Sequence, residues 1–420
     1  MEEQKAREFL KNTSKSGSVP GLESIRNLLW ELGNPQDKLA FIHIAGTNGK
    51  GSTLAFLTAI LKESGYKTGS FTSPIIEKYE EHFQINGIPM ELKILVDCVE
   101  KVMHAVNKMT AKGMSAPTIF EVETAIAFLY FLSEGCDIVL LETGMGGDLD
   151  ATNIIKAPLI AVFTPISMDH QDFLGHTLVE IATEKAGIIK KGTTVVSAPQ
   201  DSKVCEILKE RAVQKGCPFI KVETLDIAAI KEEDISLSGL YQKTNAATAM
   251  TVARVLQKSI HTISDASIAN GLKKAYWPGR FETISSKPLV VIDGAHNPAG
   301  ARALAKSIKF YFTNKRIIYI MGILKDKEYE KIVQETILFA SGVYTITPLG
   351  ERALDARVLL EEVKKYQENA WYADNLETAV RKSIQLAGED GVVVAFGSLS
   401  FLGDIKREVK EFREKECAND

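Results

Sequence analysis

Short apolar runs alternate with longer amphipathic ones through most of the chain. Residues 39–44, 137–141, 158–163 and 193–196 are mostly apolar or β-branched and too short for helices, which predicts buried parallel strands. Between and after them, residues 54–61, 119–133, 178–190 and 204–215 carry apolar or amphipathic helical patterning. Repeated strand–helix units of this kind predict an α/β fold built on a doubly wound, mostly parallel sheet. Two short helical patterns, around residues 3–10 and 22–32, precede the first strand and flank a Ser/Gly/Pro stretch.

The helical run at residues 268–275 stops at Trp277-Pro278-Gly279-Arg280, and a Pro-Gly pair is a strong turn signal. A second alternation follows, with strands predicted at 289–292, 317–321, 342–346 and 392–396 and helices around 299–310, 329–340, 356–365 and 376–387. The 420 residues exceed what one core usually organises, so a larger domain at 1–278 and a smaller α/β domain at 279–420 are expected.

Composition narrows the function. Hydrophobic residues at 45%, charged residues at 25% and a net charge of −4 describe an ordinary globular protein without the basic surface that nucleic acid requires, so any anion site must be local. The five cysteines, Cys98, Cys136, Cys205, Cys217 and Cys417, form no C-x-x-C pair and no Cys/His ligand spacing, which points to a reducing compartment and away from structural zinc. The N-terminus lacks the apolar stretch of a signal peptide, and no run of about eighteen apolar residues occurs anywhere. A cytoplasmic protein without a membrane segment is therefore expected, and a monomer, since no interface stripe is legible.

The first strand leads into His43-Ile44-Ala45-Gly46-Thr47-Asn48-Gly49-Lys50-Gly51-Ser52-Thr53 and then a helix. Strand, glycine-rich turn and helix make a phosphate cradle: small residues let backbone N–H groups approach oxyanions, the helix N-terminus adds partial positive charge, and Lys50 reaches the terminal phosphates. The spacing departs from the ordinary P-loop, with Ile44 where its first Gly would stand and Gly51 between Lys50 and Ser52. Other strand ends bring ligand-type residues to the same sheet edge: Ser73 in Phe71-Thr72-Ser73-Pro74, Glu142 before Thr143-Gly144-Met145-Gly146-Gly147, and His170 after Asp169. A Ser-Pro turn, a capping glutamate and a solvated histidine are the plain alternatives. Together, one carboxylate, a hydroxyl and an imidazole beside phosphates suit Mg²⁺. Lys185 reads either as a solvated surface cation or as a buried amine, neutral enough to react with carbon dioxide. In the second domain Asp293 and His296, in Asp293-Gly294-Ala295-His296-Asn297-Pro298, end a strand before a helix, with Arg280 just inside the boundary. A structural Asp-Gly and Asn-Pro turn would explain the same letters.

Taken in order, these residues resemble the folylpolyglutamate synthase and dihydrofolate synthase family of the Mur-ligase superfamily. The resemblance runs from the loop at 43–53 through Thr72-Ser73-Pro74, Glu142 to Gly147, Leu149-Asp150-Ala151-Thr152-Asn153, Asp169-His170, Glu184-Lys185-Ala186-Gly187-Ile188, Trp277-Pro278-Gly279-Arg280 and Asp293 to Pro298, and spans most of the chain. It implies an ATP-binding, P-loop-containing N-terminal domain and a Rossmann-like C-terminal ligase domain, closing on the nucleotide. The implied reaction adds L-glutamate to a folate, or to dihydropteroate, with ATP and one or two Mg²⁺ ions. By the same resemblance Gly49, Lys50, Gly51, Ser52, Thr53, Asn245, Arg280 and Asp293 bind the nucleotide, and Ser73, Glu142 and His170 hold Mg²⁺. Lys50, Lys185 and His296 serve catalysis, Lys185 as a possible carbamate, and Thr118 and Phe120 meet the pterin-bearing substrate. Two departures stand out: His82 and Asp148 occupy positions where the family often has arginine, removing fixed positive charge near the anionic substrates. Two alternatives share the nucleotide residues: another ligase of the superfamily acting on a cell-wall precursor, and a nucleotide-gated binding protein without ligase chemistry.

Overall fold

The computed structural model of the chain describes residues 2–14, 21–259 and 262–417; the Ser/Gly/Pro stretch between the first two helical patterns lies mostly outside them. The chain divides into two compact units. One comprises Met1–Ser73, Tyr79–Ser236 and Lys243–Tyr276, the other Pro74–Lys78, Leu237–Gln242 and Trp277–Asp420. Each is built on its own sheet.

The first unit's strands are β1 (Phe41–Ala45), β2 (Thr68–Phe71), β3 (Phe83–Ile85), β4 (Ile88–Pro89), β5 (Ile138–Glu142), β6 (Ile160–Phe163), β7 (Thr194–Ser197) and β8 (Phe219–Lys221). Their order is β4-β3-β2-β5-β1-β6-β7-β8. In that order every pair from β2 through β5, β1, β6 and β7 to β8 is parallel, and the pairs β2–β3 and β3–β4 are antiparallel. Every residue of β1, β5 and β6 is buried, the consequence of a parallel sheet covered on both faces. Phe41, Phe71, Val139 and Leu141 share a core with the helices Leu92–Ala111 and Ile119–Ser133, whereas Ala45, Ala161, Phe163 and Val195 share another with Leu178–Ala186 and Ser202–Gln214. The helix Lys50–Glu63 is buried along most of its length, and Gly271 of the helix Asp265–Lys274 lets the two backbones meet at Ile60.

The second unit's strands are β9 (Glu282–Ser286), β10 (Leu289–Asp293), β11 (Ile317–Met321), β12 (Gly342–Thr345), β13 (Ala370–Tyr372) and β14 (Val392–Phe396), ordered β13-β12-β11-β14-β10-β9. All pairs are parallel except β9 with β10. This is the α/β architecture that the sequence predicts, a doubly wound, mostly parallel sheet and a smaller second α/β sheet. No helix among the described residues is long and apolar enough to cross a membrane.

One helix is shorter than its pattern. The run expected over 178–190 ends at Ala186, where Gly187 presses against Asp148 and Asp148 N–H donates to Glu184 O at 2.9 Å. Lys190 then turns its ammonium onto the carbonyls of Asn153, at 2.6 Å, and Ile155. Tertiary contact to the 148–155 loop replaces the last helical turn.

Candidate functional site

Register aligns the strand ends that matter. Ile44 of β1 lies beside Glu142 of β5, and Phe71 of β2 beside Leu141, so the turn after β1, Ser73 and Glu142 leave neighbouring strands at one carboxyl edge. That edge is where open α/β sheets bind ligands.

The turn after β1 requires its glycines. Gly46 and Gly49 have φ of 149° and 91°, and a Cβ would drive Gly46 into Thr164 Oγ1 and Gly49 into Asn245 Oδ1. Thr47 and Asn48 N–H groups donate to Pro165 O at 3.0 and 3.3 Å, and Thr47 Oγ1 exchanges hydrogen bonds with the Ser167 backbone. These bonds hold the turn in shape, and the turn opens directly into the helix Lys50–Glu63, whose first turn presents backbone N–H groups toward it. Lys50 Nζ folds back to Gly46 O and Thr47 O, each at 3.3 Å, and lies 3.7 Å from Glu142 Oε1. Thr53 Oγ1 is buried without a hydrogen-bond partner among the described residues.

Glu142 is 4% exposed, and the Lys50 ammonium is its nearest counter-charge. Thr143 Oγ1, the next residue, is buried with no hydrogen-bond partner among the described residues. A buried carboxylate next to an unsatisfied hydroxyl offers the kind of hard oxygen donors that Mg²⁺ takes. No cluster of three or more His, Cys, Asp or Glu capable of holding a metal occurs among the described residues, so hydroxyl, water or phosphate oxygens would have to fill the rest of its shell. His170 is exposed, at a left-handed N-cap (φ 50°) before the short helix Gln171–Leu174. Ser73 is half-buried.

Lys185 resolves the choice left open by its sequence: it is 5% exposed, on the last turn of Leu178–Ala186. Burial brings its pKa down to about 7, the Lys50 charge pushes it the same way, and Asp169 and Asp150 oppose. Gly147 makes this possible, since a Cβ there would stand 2.6 Å from Glu184 O and 2.7 Å from Lys185 O. Asp150 is saturated with donors: Met145 N–H at 2.8 Å, Thr152 N–H at 3.0 Å and the Thr152 hydroxyl. Thr152 Oγ1 in turn meets His43 Nε2 at 2.8 Å. Because the Thr152 proton goes to Asp150, Nε2–H must be the donor to Thr152, leaving Nδ1 a buried acceptor without a partner among the described residues. Burial, helped by Lys190, holds the His43 pKa down to about 3, so the ring stays neutral.

Thr118 caps the helix Ile119–Ser133 through a reciprocal box with Glu121, and Phe120 follows it, its ring 5.6 Å from that of Phe71 and packed on Gly144. Phe120 thus meets the turn after Glu142, whereas Thr118 is engaged with Glu121.

In the second unit Asp293 ends β10 and accepts from the Tyr241 hydroxyl at 2.6 Å and from Phe281 and Ala295 N–H, each at 2.8 Å. Burial raises its pKa, against the Tyr241 hydrogen bond and the Arg280 charge. Arg280 lies over Gly294, where a Cβ would strike its guanidinium. His296 Nδ1 donates to Gly294 O at 2.7 Å, directing Nε2 away from that bond, and Asn297 caps the helix Pro298–Tyr311. Sequence reasoning missed Tyr241, His43, Thr152 and Lys190. Tyr241 lies 52 residues from Asp293, beyond any local pattern, whereas a histidine in an all-apolar strand is a signal that was available.

The chain matches the Mur ligase middle domain over residues 44–272 and the glutamate ligase domain of Mur ligases over 279–399. It is 36% identical to the dihydrofolate synthase/folylpolyglutamate synthase of Bacillus subtilis, across 97% of this chain and 99% of that one. It is 32% identical to the folylpolyglutamate synthase of Lacticaseibacillus casei, across 91% and 93%. Among solved structures, Mycobacterium tuberculosis folylpolyglutamate synthase complexed with ADP and AMPPCP superposes with a TM-score of 0.88 at 28% identity, covering 97% and 98%. E. coli FolC in complex with DHPP and ADP gives 0.87 at 26% identity, covering 98% and 99%.

Proposed function

We propose that this chain, which belongs to the folylpolyglutamate and dihydrofolate synthases of the Mur ligase family, joins L-glutamate to a folate or dihydropteroate acid at the expense of ATP. The observation that carries the reading is the meeting of Lys50 and Glu142 at a glycine-locked turn, with a buried Lys185 whose charge is suppressed. A carboxylate is a poor electrophile, so amide formation needs activation. The acceptor carboxylate attacks the γ-phosphorus of ATP and ADP leaves. The glutamate amine then attacks the acyl carbon, phosphate departs, and the amine proton is lost to solvent. Lys50 and the first amides of its helix neutralise charge on the transferring group, which together with positioning is the main source of rate in phosphoryl transfer. Mg²⁺ held by Ser73, Glu142 and His170 would add further neutralisation of the phosphates.

Lys185 extends the proposal. At neutral pH about half of its amines are uncharged if the pKa is about 7. Such an amine adds to carbon dioxide, releasing one proton and becoming a carbamate, which turns a cation into an anion suited to a second Mg²⁺. Roles for Asn245, Arg280 and Asp293 toward ATP, for His296 near the reacting groups, and for Thr118 and Phe120 toward the pterin belong to the same reading. So does the division into an ATP-binding region at 1–278 and a ligase region at 279–420. A cytoplasmic monomer is proposed alongside, in keeping with the unpaired Cys98, Cys136, Cys205 and Cys217.

The test is a substrate panel. ADP release is measured with glutamate and dihydropteroate, tetrahydrofolate or a cell-wall peptide precursor, and product mass is read by mass spectrometry. Release that requires glutamate and a pterin acid supports the proposal. Release only with the cell-wall acceptor, or none with any, overturns it.

A further inference from the structure

Behind Phe120 two buried titratable side chains, Glu123 and His82, meet a half-buried one, Tyr79. Glu123, 7% exposed, stands three residues beyond Phe120 on the helix Ile119–Ser133. Its Oε1 accepts the Tyr79 hydroxyl at 2.9 Å and lies 3.9 Å from His82 Nε2. Burial raises the Glu123 carboxyl above its usual range, while His82 and the Tyr79 hydrogen bond pull it back. His82, 8% exposed, is committed on its other nitrogen, with Nδ1 at 2.6 Å from Thr72 O. Thr72 N–H returns a bond to His82 O at 3.1 Å. A nitrogen facing a carbonyl must carry hydrogen. Nε2 is thereby turned toward the Glu123 carboxyl, at 3.9 Å an ion-pair contact longer than a hydrogen bond.

A leucine at position 123 would fill the space without burying a carboxylate, so the cluster has to do something that packing alone does not. It joins three pieces of chain that are separate in sequence. These are Thr72, which follows β2 and precedes Ser73; the turn Tyr79–His82; and the helix that carries Phe120. The aromatic rings around it are continuous, Phe71 lying 5.8 Å from Phe83, 5.6 Å from Phe120 and 6.4 Å from His82.

We propose that Glu123, acting through His82 and Tyr79, is a positioning residue for the acceptor. It fixes the distance between Phe120, which receives a planar aromatic head, and Ser73 at the phosphate edge, where the acceptor's carboxylate reacts. The proposal rests on the acceptor reading given above and assigns a role to three residues outside that site. It also makes His82 internally occupied rather than a contact for substrate carboxylates.

The experiment compares wild type, Glu123→Gln and Tyr79→Phe as full-length chains, with KM measured separately for dihydropteroate, ATP and glutamate, and with imidazole ¹⁵N shifts of His82 recorded by NMR. Glu123→Gln keeps an oxygen for Tyr79 and replaces the carboxyl facing His82 by an amide. Its dihydropteroate KM is expected to rise about tenfold, with the ATP and glutamate KM values moving by less than about twofold, since small displacements of a bound group cost rate steeply. The His82 Nε2 resonance is expected to shift while Nδ1 stays protonated. If Glu123→Gln fails to fold, Tyr79→Phe, which removes one hydroxyl, carries the same test with the same direction. An unchanged dihydropteroate KM in an active variant, or an ATP KM that rises in step, overturns the proposal. A wild type without glutamate-dependent turnover on any pterin acid overturns the ligase reading instead, and the positioning role with it.

Discussion

Replacing Lys185 by methionine should stabilise the protein in acid while removing its turnover. Burial and the Lys50 charge lower the Lys185 pKa from 10.5 to about 7. At about 1.4 kcal/mol per unit, keeping the ammonium in place costs the native state about 4–5 kcal/mol. The sign follows from proton counts. Between pH 7 and 10.5 the unfolded chain holds a proton on this lysine that the native state has released, so native stability rises with pH across that window. Below the window both states are charged and the whole cost is present; above it both are neutral and the cost vanishes. Methionine fills a similar volume without charge, so its advantage over lysine should be about 3–5 kcal/mol near pH 6, the attraction to Asp169 and Asp150 being already contained in the net shift, and should fade toward pH 10. Urea denaturation of both proteins at pH 6, 8 and 10, in buffers freed of carbon dioxide, measures it. A difference that is constant with pH, or a methionine variant less stable than wild type at pH 6, would refute the claim that Lys185 is a cation held against its preference. The same variant should be inactive, and Lys185→Ala should recover part of its turnover with short carboxylic acids if the working form is a carbamate.

Lys50→Ala should lower kcat by about 10²–10³-fold, one preorganised contact to transferring charge being worth about 3 kcal/mol, with an unchanged circular dichroism spectrum. Gly49→Ala should destabilise the first unit by about 1–3 kcal/mol, because the residue has a positive φ and its new Cβ meets Asn245 Oδ1; the loss should appear in urea midpoints as well as in nucleotide affinity. Asp293→Ala leaves the Tyr241 hydroxyl and two backbone N–H groups without their acceptor, and should cost about 3–5 kcal/mol, seen as earlier melting or proteolysis of the second unit.

What the sequence disclosed, and what it withheld, follows from the range of the interactions involved. The parallel strands β1, β5, β6, β11 and β14 are legible because a strand covered on both faces must be apolar at nearly every position, and Val392–Phe396 or Ile317–Met321 admits no other reading. The edges β4, β8, β9 and β13 are not, since two to five residues facing solvent on one side leave no run to detect. The same division holds in the site. Gly46, Gly49 and Lys50 announce themselves within a few letters, because a phosphate-binding turn is a local object. The environment of Lys185 is a distant one: its low pKa comes from burial, which needs Gly147 to admit the end of its helix, and from Lys50 of another strand–helix unit, against the opposing pull of Asp169 and Asp150. Ten letters around Lys185 describe a surface lysine as well as a buried one, and only the closed sheet edge decides between them. His43 lies between these cases. Its position inside a strand of Phe41-Ile42-His43-Ile44-Ala45 is odd enough to require a buried partner, yet nothing nearby names that partner, which the fold supplies as Thr152 from beyond the next strand of the sheet. A polar residue in an otherwise apolar buried strand therefore marks that a network exists, and the register of the neighbouring strands shows where it ends.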